Sequence, residues 1–238
     1  MPSKVYLIGA GPGDPELLTI KAARILAQAD AVVYDNLISA QILKLIPKNA
    51  TKIFAGKAKS RHLLKQSEIN DLLIELASSH KKVVRLKGGD PFIFGRGGEE
   101  VDALKIAKVK FEVVPGITAA QGCAAALGIP LTHRDHVSGV HFFTGHGCHD
   151  IEPKLDWQVL AHEDKTLVIY MGLTNIKTIV KRLAQNGMKK TTPAVIVENG
   201  TLKKQRQFFG KLDELPKIIE QNSIKSPALI IIGHVVKN

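Results

Sequence analysis

The 238 residues carry 33 Lys+Arg against 22 Asp+Glu, a formal net charge of +11, with 45% hydrophobic and 23% charged side chains. That is a soluble globular composition, long enough for one large domain or two smaller ones and for a core that needs no disulfide or metal staple. Two cysteines, Cys123 and Cys148, exclude a disulfide-dense secreted scaffold, and no apolar stretch approaches the length of a membrane span.

The start, Met1-Pro2-Ser3-Lys4, precedes an apolar run at 5–8 that is too short for a signal peptide, so a cytoplasmic location is expected. The positive charge implies an anionic partner. It is dispersed along the chain, however, and aromatic side chains are only 5%, so a base-stacking nucleic-acid surface is not expected.

In chain order, short β-rich runs alternate with helical patterns, which reads as α/β architecture. Strands are predicted over 5–8, 31–34, 52–54, 83–86 and 111–114, and helices over 16–28, 67–78 and 99–107. In the first helix, Leu18, Ala22, Ile25, Leu26 and Ala29 recur at three- and four-residue spacing, one buried stripe. Pro115-Gly116 breaks the pattern, and an alanine-rich helix over 118–127 leads to Gly128-Ile129-Pro130. Beyond it, strands are predicted over 139–144, 166–171, 194–198, 205–209 and 228–232, with helices over 175–185 and 213–221. The strands around Gly200 suit a hairpin. The reading is two α/β domains, 1–115 and 116–238, joined near 115–130, with a small-molecule site expected in the cleft between them.

The first strand runs into Gly9-Ala10-Gly11-Pro12-Gly13-Asp14-Pro15, which invites a dinucleotide reading with Asp35 as the ribose acid. The spacing fails, because Asp14 stands where the third glycine belongs and prolines 12 and 15 lack backbone donors. A tight strand-to-helix turn, compatible with any cofactor, remains.

The second segment, Arg85-Leu86-Lys87-Gly88-Gly89-Asp90-Pro91-Phe92-Ile93-Phe94-Gly95-Arg96-Gly97-Gly98-Glu99-Glu100, follows a strand and precedes a helix. Its glycines let backbone approach a ligand closely. Asp90 suits a hydroxyl or ammonium, and Lys87 and Arg96 suit carboxylates. Arg134 and His62 are secondary candidates for the same task.

These segments resemble the tetrapyrrole methylases. The resemblance is carried by the run 5–19, by Val33-Tyr34-Asp35-Asn36-Leu37, by the loop 88–100 and by Val114-Pro115-Gly116-Ile117-Thr118-Ala119-Ala120. Gly128-Ile129-Pro130-Leu131-Thr132-His133-Arg134 and the run 226–233 extend it over essentially the whole chain. Within the family, the loops look most like members acting on uroporphyrinogen III.

The resemblance implies a homodimer of two-domain α/β chains with S-adenosyl-L-methionine held between the domains. By similarity Pro12, Gly88, Gly89, Asp90, Ile93, Thr118, Ala119, Met171 and Gly200 line the donor site. Asp35 is implied as proton acceptor and Lys57 as proton donor. The implied reaction adds two methyl groups to uroporphyrinogen III, a flexible polycarboxylate, to give precorrin-2 through precorrin-1, for siroheme or cobalamin, with S-adenosylhomocysteine as by-product. On spacing alone, Asp35 braces the turn before Leu37 and Lys57 is a solvated lysine.

Three rival readings stand beside it: a later corrin-pathway methylase, a protein or RNA methylase among more distant relatives, and a nonenzymatic anion-binding module. The added dehydrogenase–chelatase domain of siroheme synthases has no room in this length, so oxidation and metal insertion are expected of separate proteins.

No metal is expected. His146, Cys148 and His149 crowd one loop, whereas closed zinc sites want four ligands at looser spacing. Trp157 is read as a packing anchor.

Overall fold

The computed structural model describes residues 3–56, 64–135, 137–147 and 154–236. Lys57, His62, Cys148, His149 and Asp150 lie outside the described residues. The chain divides into two compact units, Met1–Thr118 and Ala119–Asn238.

The first unit contains β1 (Lys4–Gly9), α1 (Ile20–Leu26), β2 (Ala31–Tyr34), α2 (Ala40–Leu43), β3 (Thr51–Phe54), α3 (Gln66–Ser79), β4 (Lys82–Lys87), α4 (Gly97–Ile106) and β5 (Phe111–Val114). Its sheet has the order β3-β2-β4-β1-β5 and every pairing is parallel. The central strands read as continuous apolar runs because helices cover both faces. Ala22 and Leu26 of α1 and Ile42 of α2 pack on Ile8, Val32, Val84 and Leu86. Leu73 of α3 and Val101 and Leu104 of α4 pack on the opposite-facing Val5, Leu7, Val33 and Val83.

The predicted helix over 16–28 is shorter than expected. A 3-10 turn spans Pro15–Leu17, capped by the Asp14 carboxylate, which accepts from the Glu16 N–H. Thr19 is extended, and its hydroxyl accepts from the Ala22 N–H, so α1 begins only at Ile20. The glycines after β1 therefore do not abut an α-helix, a physical reason for the failed dinucleotide spacing.

The second unit contains α5 (Ala119–Ala126), β6 (Gly139–Thr144), α6 (Trp157–Leu160), β7 (Lys165–Tyr170), α7 (Ile176–Gln185), β8 (Pro193–Glu198), β9 (Arg206–Lys211), α8 (Leu215–Gln221) and β10 (Ala228–Ile232). Its mixed sheet runs β6-β7-β10-β8-β9, with only β6 and β7 paired in parallel. Strands β8 and β9 form the expected antiparallel hairpin, Glu198 opposite Arg206.

One face of this sheet carries α5, with Ala120 and Cys123 against Val195, Val197 and Ile231. On the other face, Ile176, Ile179 and Leu183 of α7 and Leu215 of α8 lie among Leu167, Ile169 and Ile196. Trp157 packs on this second core with its ring edge-on to Phe143 at 6.4 Å. The short α2 and α6 escape the sequence reading because four residues show little periodicity.

Candidate active site

In the first unit the two glycine-rich segments meet at the carboxyl ends of β1, β4 and β5, where parallel sheets present ligand sites. The Gly11 N–H donates to the Gly89 carbonyl at 3.1 Å, and the Gly89 N–H donates back to Gly11 at 2.8 Å. Backbones here touch directly: a Cβ on Gly116 would stand 2.2 Å from the Gly89 oxygen, and one on Gly9 would stand 2.5 Å from the Gly116 nitrogen.

Asp90 ties this knot. Its Oδ1 accepts from the Phe92 N–H at 2.8 Å and its Oδ2 from the Gly116 N–H at 3.0 Å. Asp90 is thus a brace of the loop as well as a candidate ligand contact. Around the knot, Leu37, Phe92, Ile93 and Phe94 are all exposed. A run of exposed apolar side chains beside bare backbone makes this a candidate binding surface.

Beneath the loop lies a buried charge network. Arg85 and Lys87 of β4 are 4% and 3% exposed, and Glu100 of α4 is fully buried. Glu100 Oε1 accepts from Arg85 Nε at 3.0 Å, Lys87 Nζ at 2.9 Å and Gln66 Nε2 at 3.3 Å. Its Oε2 has no hydrogen-bond partner among the described residues. Burial, with Arg85 alongside, pulls the Lys87 ammonium below the usual lysine range, although Glu100 opposes the shift. Lys87, expected to meet a substrate carboxylate, has its amine enclosed and bonded to Glu100.

Asp35 follows β2 with its side chain 26% exposed. Its Oδ1 accepts from the Leu37 N–H at 3.0 Å, the bracing role read from spacing, while Oδ2 lies 3.6 Å from Arg85 Nη2. Arg96 is exposed, in the left-handed region at φ 57°, and forms a two-pronged pair with Glu99 through Nε at 2.8 Å and Nη2 at 2.7 Å. A substrate carboxylate would compete with Glu99 for it. Arg134 is exposed as well.

Pro12, Gly88, Gly89, Asp90, Ile93 and Thr118 belong to the first unit, and Ala119, Met171 and Gly200 to the second. In the second unit, Met171 and Gly200 follow β7 and β8, whose ends flank the start of β10 through Tyr170–Leu229 and Val197–Leu229 pairing. Helix α5 links them. The Tyr170 hydroxyl accepts from the Ala120 N–H at 3.1 Å, and Cys123, one turn on, lies against Gly200. Met171 is half-exposed at φ 52°, a left-handed backbone costing on the order of 1 kcal/mol that concentrates at functional sites.

The residues the sequence reading missed are Arg85, Glu100, Phe92, Phe94 and Gly116. Charges at inward positions of β4 and α4 were the available signal for the first two. Apolar residues inside a glycine loop were the signal for the phenylalanines. The surroundings of residues 88–90 suit a methyl donor of the S-adenosyl type: bare backbone for a flat base, exposed aromatic surface for a sulfonium, and no need for a phosphate cradle.

Residues 4–216 match the family of Tetrapyrrole (Corrin/Porphyrin) Methylases. The chain belongs to that family. It is 53% identical over 234 residues to a siroheme synthase of Nitrosomonas europaea, covering 98% of this chain and 49% of that protein. The chain thus spans about half the length of the curated relatives it matches. Among solved structures, it resembles uroporphyrin-III C-methyl transferase from Thermus thermophilus complexed with S-adenyl homocysteine, with TM-score 0.85, 40% identity and coverage of 99% and 94%. A cobalt precorrin-4 methyltransferase superposes with TM-score 0.87 at 28% identity, covering 99% of this chain and 96% of its own. No helix among the described residues is long and apolar enough to cross a membrane.

Proposed function

We propose that the chain is an S-adenosyl-L-methionine-dependent C-methyltransferase adding two methyl groups to uroporphyrinogen III, giving precorrin-2 through precorrin-1 for siroheme or cobalamin formation. The observation that carries this reading is the backbone-floored turn at 88–90 set beside exposed Leu37, Phe92, Ile93 and Phe94. Membership of the methylase family, and identity to a uroporphyrin-III enzyme well above that to a precorrin-4 enzyme, support the choice of substrate.

When bound, the donor supplies a methyl carbon on a cationic sulfur, which a pyrrole carbon of the substrate attacks as neutral S-adenosylhomocysteine departs. The chain's own work is orientation and proton removal. Orientation alone is worth about 7–11 kcal/mol. Pro12, Gly88, Gly89, Asp90, Ile93, Thr118, Ala119, Met171 and Gly200 hold the donor, and Arg96 faces the substrate carboxylates. Asp35 accepts the proton that the methylated ring must lose, its Oδ1 fixed by the Leu37 N–H. Lys57 serves as proton donor. The active form is a cytoplasmic homodimer, to be checked in solution by light scattering.

The test is incubation with labelled donor and uroporphyrinogen III, followed by mass analysis. Two added methyls are expected. Methylation of RNA, or of a later corrin intermediate, without transfer to uroporphyrinogen III would overturn the reading.

A further inference from the structure

Arg85 sits in the middle of the first sheet, opposite Val33 of β2 and Leu7 of β1, in a layer that is apolar apart from its network with Lys87 and Glu100. A buried cation is costly there, and an apolar side chain of similar volume is often at least as stabilising. Packing therefore does not account for arginine. Its bonding does. Nε donates to Glu100 Oε1 at 3.0 Å, and Nη1 donates to the carbonyls of Val33 at 3.4 Å and Leu86 at 3.2 Å. The planar fork is pinned from two sides. Glu100, pinned in turn by Lys87 and Gln66, cannot swing away. What remains is Nη2, which reaches Asp35 Oδ2 at 3.6 Å.

We infer that Arg85, anchored on Glu100, is a positioning residue that fixes the carboxylate of Asp35 for proton transfer. This rests on the proposed role of Asp35 and deepens it. The Leu37 N–H holds one carboxylate oxygen by a hydrogen bond, and the Arg85 guanidinium stands as an ion-pair partner 3.6 Å from the other. The anchor also ties β4 to α4 across the base of the glycine loop. The same guanidinium thus bonds the base of the loop through Glu100 and faces Asp35 as an ion pair.

The test is a double-mutant cycle on methyl transfer with Arg85→Met, Asp35→Asn and both together, alongside calorimetric affinity for S-adenosylhomocysteine. R85M is expected to lower kcat on the order of ten- to a hundredfold, a part of what a general base contributes, with affinity for S-adenosylhomocysteine within about threefold of the parent. The double variant should be no slower than D35N alone, because a residue acting through Asp35 has nothing left to position. Should R85M fail to fold, R85K keeps the charge and the Glu100 bond but loses the fork, and the cycle is run with it. It should melt near the parent temperature while losing kcat. Losses that multiply, or an R85K of parental kcat, overturn the inference and leave Asp35 as acceptor. A D35N of parental kcat overturns the acceptor reading itself.

Discussion

The sulfur of Cys123 fills the space beside Gly200 where a side chain would begin: a Cβ on Gly200 would stand 2.3 Å from Sγ. Cys123 is on α5, and Gly200 sits between Asn199 and Thr201, both at positive φ. The turn cannot retreat easily. Gly200→Ala should destabilise the chain by about 1–3 kcal/mol, as overpacking does, and weaken S-adenosylhomocysteine binding. Adding Cys123→Ala makes room and should recover much of both losses. Thermal melts and calorimetry on the two single variants and the double variant check this.

The turn at 115–116 allows a sharper test. A Cβ on Gly116 meets backbone, 2.2 Å from the Gly89 oxygen and 2.8 Å from Gly9 Cα, and backbone has no rotamer to change. Gly116→Ala is expected to cost about 3 kcal/mol, the upper end of ordinary overpacking, and to abolish donor binding. Gly98→Ala, where nothing lies within 4 Å, is the matched control. Within α4 it should be neutral or stabilising by roughly 0.5–1 kcal/mol. Denaturant midpoints and donor affinity compare the pair.

Burial pushes the Cys123 thiol up to about 12. The thiolate is the reactive form, so at pH 8 the native protein should alkylate at Cys123 no faster than it unfolds. Pulse labelling with iodoacetamide and peptide mass analysis reads this residue by residue. Rapid native modification of Cys123 would contradict its placement under Gly200.

Strand positions were legible as short β-rich apolar runs set off from the helical patterns, so β2, β5, β6 and β10 stand at the predicted residues. The hairpin at Gly200 was legible from its turn. Helix α1 was not, because Leu17 and Leu18 extend the apolar stripe across a 3-10 turn that Thr19 separates from the helix. At the site, the glycines and Asp35 were visible as sequence. The bond of Lys87 to Glu100 was not legible, because the partner is thirteen positions away, across a loop whose path no local pattern gives. The same holds for Arg85, which reads as an interruption of a strand until Glu100 and Asp35 are placed around it.

The hairpin carries a pH-dependent tie. Glu198, nearly fully buried at the end of β8, accepts from Arg206 Nε at 2.5 Å and from the Lys225 N–H at 2.8 Å. The Arg206 guanidinium first, and the Lys225 N–H after it, hold its carboxyl below the usual carboxylate range. A carboxyl depressed in the fold binds fewer protons there than in the unfolded chain, so its stabilisation is present above the unfolded value near 4.5. It fades as pH falls from there through the lower folded value. Glu198→Gln should therefore cost about 1 kcal/mol at pH 7, modest because half-exposed Arg206 is screened by solvent. That cost should shrink toward zero in acid. Urea midpoints of parent and variant between pH 7 and pH 3 measure the difference, and a gap that widens in acid would reverse the assignment.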